Sequence, residues 1–251
     1  MFEVIILSIV QGVTEFIPAS SSAHLILISK YFGFNNRSLL LDINLHFGSL
    51  LAIIIYFRKD IFDFINNKKL FLKIILSALP VIFVGFILIK FDLIKIFRNF
   101  KVIGWSTIIF GILLYYCDQS KMKKSLKKNF NYKTAIYIGM FQILSLIPGA
   151  SRSGITISGA RFFNFNRVDA AKISFLFSIP TLLATSLYGV QKLMVEENFY
   201  VSSIHLLSIF LSFVFSYLTI KFLIKFLQKF SLTSFVVYRI ILGSIILIYA
   251  Y

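Results

Sequence analysis

Apolar runs long enough to cross a bilayer recur along the chain, separated by short basic loops. A hydrocarbon core about 30 Å thick needs roughly 20 apolar residues in helical form. Six segments meet or approach that length: about 42–58, 70–90, 102–118, 170–190, 203–224 and 234–251. Two further apolar stretches are interrupted. Residues 2–33 carry Pro18-Ala19-Ser20-Ser21-Ser22 at their middle, and residues 133–163 carry Pro148-Gly149-Ala150-Ser151-Arg152-Ser153-Gly154. Each arm is too short to cross alone. Irregular backbone survives at membrane depth only where protein or a watery cavity satisfies it. Both stretches are therefore expected as re-entrant helix–loop–helix hairpins, with a single kinked span as the alternative.

The two interruptions resemble each other. Phe16-Ile17-Pro18-Ala19-Ser20-Ser21 aligns with Leu146-Ile147-Pro148-Gly149-Ala150-Ser151 at a constant offset of 130, and three candidate spans follow each. The expected fold is an all-α integral membrane domain over 1–251, built as two copies of hairpin plus three helices, about 1–118 and 131–251. A hairpin returns to its own side and three spans make an odd number of crossings, so the second copy is expected inverted, as in many transporters.

Composition agrees. Of 251 residues, 58% are hydrophobic and 14% charged, too few charges to cover the surface of a water-soluble enzyme. The single cysteine, Cys117, excludes an internal disulfide. The opening Met1-Phe2-Glu3 has no basic character, and a cleaved signal peptide is not expected. The net charge of +16 sorts by loop. Loops at 58–73, 118–133, 161–172 and 221–233 share one side of the expected topology and hold 17 Lys+Arg. The opposite loops at 30–41, 90–101 and 190–203 hold 7, the last with Glu196 and Glu197. The positive-inside rule makes the richer side cytoplasmic and puts both termini outside. The basic connection 119–130 then joins the copies as a solvated cytoplasmic loop near anionic headgroups, not a nucleic-acid site.

Subtracting the loops leaves Arg152 and Arg239 as basic residues within the membrane, with Glu15 the one acid well inside an apolar segment. Ionisable groups at that depth are costly and point to function. Gln11 and Glu15, spaced i, i+4, share a helix face; both offer oxygen to a hard divalent cation, with water and phosphate completing the shell. The Ser20–Ser22 cluster suits the cap of the second arm, and His24 falls in its first turn. In the second hairpin Gly149 permits close backbone approach, Ser151, Ser153 and Thr156 bring hydroxyls, and Arg152 brings a planar fork. The chain uses 19 Lys against 7 Arg, so an Arg here is chosen for geometry. Two helix N-termini meeting near the midplane with these groups make an anion site, for which phosphate or pyrophosphate is the natural occupant. Glu15 and His24 favour hydrolysis over transport, because hydrolysis needs a nucleophile or base and a proton donor. The bland readings stay beside these: Glu15 neutralising Arg152 or Arg239, His24 satisfied in a core, the serines capping only. His46 is expected to pack between helices rather than react. Arg239 either reaches the site or snorkels.

At these residues the sequence resembles the undecaprenyl pyrophosphate phosphatase family of bacterial inner membranes, also called the bacitracin-resistance family. Gln11 to His24 match its first motif, Glu/Gln-x-x-x-Glu followed by Phe-Leu-Pro-x-Ser-Ser-Thr-Gly-His. Pro148 to Thr156 match its second, Pro-Gly-x-Ser-Arg-Ser-x-x-Thr. The likeness continues through Leu45–Ala52, Thr156–Gly159 and Tyr238-Arg239. It implies removal of the terminal phosphate from undecaprenyl pyrophosphate to give the lipid carrier of cell-wall precursors. It also implies a periplasm-facing site and a divalent metal, magnesium or calcium. Carried over, Gln11 and Glu15 handle metal or protons, Ser21 and His24 form the catalytic pair, and Arg152 with its flanking hydroxyls clamps phosphate. Ser20, Ser22, Gly149, Ser151, Ser153, Thr156 and Arg239 are the expected substrate-binding positions. Attack by Ser21 with His24 as base, by His24 itself, or by activated water all use these residues, and the choice stays open. So does the oligomeric state, a homodimer included. Two departures stand out: Gln11 replaces the commoner Glu, and Ser22-Ala23 replace Thr-Gly, which would stiffen the loop if that position needs φ > 0. The competing class is a lipid-phosphate flippase or secondary transporter of an anionic substrate.

Overall fold

A computed structural model of the protein describes residues 1–34, 38–66, 68–97, 99–195 and 203–251. Glu196 and Glu197 lie outside the described residues. The chain is helical, and among the described residues the only β feature is an isolated bridge between Lys124 and Phe165. Ten helices carry the architecture: α1 (Phe2–Thr14), α2 (Ser21–Tyr31), α3 (Leu39–Tyr56), α4 (Lys68–Lys90), α5 (Phe100–Asp118), α6 (Tyr132–Gln142), α7 (Arg152–Phe162), α8 (Arg167–Val195), α9 (Ser203–Lys229) and α10 (Thr233–Ala250). A short 3-10 turn, Ile143–Leu146, follows α6. Helices α3, α4, α5, α8, α9 and α10 are each long and apolar enough to cross a membrane, matching the six expected spans. The paired short helices α1/α2 and α6/α7 occupy the two interrupted stretches.

Packing is set by small polar contacts as much as by apolar bulk, as expected where lipid supplies no hydrophobic drive between helices. Helix α3 packs on α9 and α8, α5 on α10, α1 on α9, α4 on α6 and α8, and α7 on α5 and α8. At the α3–α9 contact, buried Ser49 bonds to Ser212 at 3.2 Å and Ser216 at 2.9 Å. The main core gathers Phe16, Phe57, Phe130, Phe165, Phe175 and Phe177. Phe16 meets Phe175 edge to face, centroids 5.4 Å apart, and so fixes the tip of the first hairpin against α8.

The basic loops do gather at one end. Asp118 accepts from Arg161 Nε at 3.2 Å, from Arg167 Nε at 2.8 Å and from the Leu232 amide at 3.1 Å. Lys73 donates to the Phe130 carbonyl at 2.5 Å. Lys30 over Phe100 and Lys101 over Tyr251 mark the other end. This corrects the expected list of buried charges. Arg161, counted among loop residues, is fully buried, and Asp118 nearly so. Their position at helix ends hid them from a reading by hydropathy, but Arg161 donates to the Asp118 carboxylate and to the carbonyls of Asp118, Ser120 and Phe165, while that carboxylate also accepts from Arg167 and Leu232.

Candidate active site

The two hairpin loops turn in the same way. Ser20 (φ 73°) precedes α2, and Ser151 (φ 69°) precedes α7; each pairs with the serine two residues on, Ser22 at 3.3 Å and Ser153 at 3.2 Å. The offset between equivalent residues is therefore 131 beyond the prolines, one more than the sequence alignment suggested, because Gly149 adds a residue. It sits at φ 93°, and a Cβ there would fall 2.2 Å from Ser106 Oγ, so only glycine fits. Capping differs between the arms. Ser151 Oγ accepts from Gly154 N at 3.2 Å, as an N-cap should, whereas Ser20 makes no side-chain cap bond. Its hydroxyl is spent on Ser22. The feared stiffening at Ala23 does not arise, since Ala23 is helical and buried and the left-handed residue is Ser20.

Between the loops lies a compact polar network. Gln11 Nε2 donates to Glu15 Oε2 at 2.9 Å, confirming their shared face, and Ser21 Oγ donates to the same oxygen at 2.6 Å. Glu15 Oε1 pairs with the Arg152 guanidinium from the opposite hairpin. Arg152 Nη1 also reaches Thr181 Oγ1 at 3.4 Å. Glu15 is thus buried yet held as a carboxylate by an opposite charge and two further donors. Ser153 Oγ donates to the Ile17 carbonyl at 2.9 Å, sewing one loop to the other.

Glu15, Ser20, Ser21, Ser22, Ser151 and Arg152 all line one cavity of about 390 Å³. Its far wall is apolar, drawn from Val81, Ile82, Phe86 and Ile89 of α4 and Leu182 and Ala184 of α8. A site with a polar head and an oily flank suits an anionic lipid better than a soluble anion.

Other predicted residues stand elsewhere. His24 is not with Ser21. Its Nδ1 bonds to the Ser20 carbonyl at 2.7 Å, which fixes that nitrogen as donor, and its Nε2 meets the Tyr238 hydroxyl at 2.5 Å with the rings stacked. It faces a second cavity of about 570 Å³ beside Lys30, Phe100 and Tyr249. Arg239 neither reaches the first cavity nor snorkels. It is fully buried, and its guanidinium donates to the carbonyls of Thr107 (3.1 Å), Pro18 (3.3 Å) and Gly149 (3.0 Å). Thr156 is buried and bonded to Ser174 at 2.6 Å. Gly149, Ser153, Thr156 and Arg239 therefore build the loops rather than the cavity wall, because their polar groups are consumed by backbone and neighbouring helices.

Two residues absent from the expected site are present in it. His46, expected as packing, lines the cavity, and its Nδ1 donates to the Asp42 carbonyl at 2.7 Å. Gln142, buried in the same wall, was not singled out. A signal existed for each. His46 falls in the Leu45–Ala52 run that carries the family likeness, and Gln142 precedes Pro148 by 6 residues much as Gln11 precedes Pro18 by 7.

Comparison with known proteins places the chain in a family. The sequence profile of the family described as Bacitracin resistance protein BacA matches residues 4–245. An undecaprenyl-diphosphatase of Pelagibacter ubique is 48% identical over 252 residues, covering 100% of this chain and 98% of the relative. Undecaprenyl-diphosphatases of Roseobacter denitrificans and Jannaschia sp. are 36% and 34% identical over 264 residues, each covering 100% of this chain and 99% of the relative. With both hairpin motifs present and the profile spanning nearly the whole chain, this is a multi-pass membrane protein of the bacitracin resistance protein BacA family.

Proposed function

We propose that this protein hydrolyses undecaprenyl pyrophosphate to undecaprenyl phosphate and inorganic phosphate. The carrying observation is the Ser21 hydroxyl held at 2.6 Å by the Glu15 carboxylate, opposite Arg152, in a cavity with an apolar flank. A transporter needs an anion site, but it has no use for a hydroxyl poised on a base.

The chain's own groups supply the steps. Glu15 takes the Ser21 proton as Oγ attacks the terminal phosphorus. The P–O bond to undecaprenyl phosphate breaks, and its electron pair stays on the leaving oxygen. Arg152 and the helix N-termini at Ser21 and Arg152 hold the charge that accumulates on the equatorial oxygens. Water then attacks the phosphoserine phosphorus and gives up a proton to the cavity-lining His46; the P–Oγ bond breaks, inorganic phosphate leaves, and Ser21 Oγ recovers its proton from Glu15. Here the base for Ser21 is Glu15; His24 acts as a positioning residue that clamps the Ser20 carbonyl. His46, with Nδ1 occupied, presents its other nitrogen to the proton traffic of the second step.

A divalent cation, magnesium or calcium, fits the residues present. Gln11 Oε1 is buried with no hydrogen-bond partner among the described residues, beside the Glu15 carboxylate. Two oxygen donors of this kind suit a hard ion whose remaining shell is water and phosphate. When bound, such an ion neutralises phosphate charge and eases loss of the leaving group.

The inverted-repeat reading gains support from helix pairing. Exchanging the copies converts α1–α9 into α6–α4 and α3–α9 into α8–α4, and leaves α3–α8 and α5–α10 unchanged. The gathering of basic loops at one end supports a cytoplasmic face there by the positive-inside rule, in a bacterial inner membrane. The polar cavity then serves a substrate presented from the periplasmic side. Phosphate release from a polyprenyl pyrophosphate by purified protein in detergent, with and without chelator, tests the assignment. No release with magnesium or calcium present would defeat it.

A further inference from the structure

Gln142 is an unexplained polar group in the cavity wall. Its side chain is completely buried, and neither Oε1 nor Nε2 has a hydrogen-bond partner among the described residues. Exchanging the two amide atoms leaves both still unpaired, so the conclusion does not depend on how the amide is oriented. A buried amide without partners is unfavourable and calls for a ligand or water to satisfy it. Its position narrows the choice. Gln142 ends α6, and α6 packs against α4, whose Val81, Ile82, Phe86 and Ile89 form the apolar flank of the cavity. Glu15, Ser21 and Arg152 line the same cavity and supply its charged groups. Ser145, whose hydroxyl donates to the Gln142 carbonyl at 2.6 Å, lines the same stretch of wall.

A prenyl pyrophosphate with its terminal phosphate at Arg152 and its chain along α4 must place its second phosphate between them. We infer that Gln142 forms the subsite for this lipid-linked phosphate, the group that leaves as the product, by donating from Nε2 to one of its oxygens. The inference rests on the hydrolase reading for its orientation of the substrate. A neutral amide suits this position: it binds the phosphate without the grip of a cation and lets the monophosphate depart.

The test uses two probes that each fill half of the site, farnesyl phosphate for the lipid-linked phosphate and inorganic phosphate for the terminal one. Their affinities are measured on full-length protein in detergent, for wild type, Gln142→Leu and Gln142→Glu. Leucine keeps the bulk and removes the polar atoms; glutamate keeps the shape and repels phosphate. Expected is a loss of farnesyl phosphate affinity of about tenfold or more in both variants, with inorganic phosphate affinity unchanged. Thermal stability of Gln142→Leu without ligand is expected to equal or exceed that of wild type, because an unpartnered buried amide has been removed; a merely structural glutamine would lower it. Unchanged farnesyl phosphate affinity in both variants, or equal losses for both probes, overturns the subsite. Gln142-dependent binding of farnesyl phosphate by a wild-type protein that releases no phosphate would uphold the subsite while defeating the hydrolase reading.

Discussion

The Ser21 hydroxyl and the Glu15 carboxylate, six residues apart across a broken helix, lie 2.6 Å from each other. The break makes this possible. In a continuous helix a separation of six residues would place the two on different faces; the turn after Pro18 folds Ser21 back over Glu15. The same carboxylate is held from the other hairpin by Arg152, so Ser21, Glu15 and Arg152 come together from three separate turns of backbone.

Replacing Ser21 by alanine is expected to lower phosphate release by about a thousandfold or more, since among the described residues its hydroxyl is the one that donates to Glu15. Protein quenched during turnover should carry label on Ser21. Label on His24, or none anywhere, would remove the serine mechanism.

Glu15→Gln retains the shape and loses the base, and a drop in kcat of about 10² to 10⁴ is expected. Arg152→Lys keeps the charge and loses the planar fork, so it should weaken substrate binding and slow turnover, with the protein still folded. Full activity in Arg152→Lys would show that charge alone suffices.

The two histidines should separate kinetically. His46→Ala is expected to reduce kcat about tenfold or more, with partial recovery on adding imidazole, because the ring lines the same cavity as Glu15 and Ser21. His24→Ala should show no imidazole recovery, and Tyr238→Phe should mimic it in part, because their contact only braces the loop. The opposite pattern would return the proton-handling role to His24.

Arg239→Met leaves the carbonyls of Thr107, Pro18 and Gly149 without this donor at once. Gly149 then keeps only the long bond from Thr107 Oγ1 at 3.5 Å, and a buried carbonyl left without a donor costs about 1–3 kcal/mol. A marked fall in thermal stability in detergent is expected, with little change in KM for whatever fraction stays folded. A stable protein with a large KM increase would place Arg239 on the substrate.

Much of this was legible in the residues. Span lengths and the paired Pro-containing breaks are properties of hydropathy and backbone chemistry, which act locally, and the six spans fell where expected. The Gln11–Glu15 pairing followed from helix periodicity alone. What was not legible depended on where side chains end up across the fold. His24 and Thr156 carry suitable chemistry, yet a carbonyl, a tyrosine and a serine from other helices claim them first. Arg161 looked like a loop charge until Asp118 was seen to fold over it. Gln142 is marked in the sequence only by its spacing from Pro148, and its lack of partners in the fold is what gives that spacing weight.

The Arg239 strut also bears on movement. One guanidinium grips a carbonyl from each hairpin loop, and Ser153 adds a second tie to Ile17. Neither loop can slide without dragging the other, so the two hairpin tips behave as one rigid keystone at the centre of the helices. Any opening that admits a substrate is therefore expected in the spans whose side chains form the rest of the cavity wall, α4 and α8.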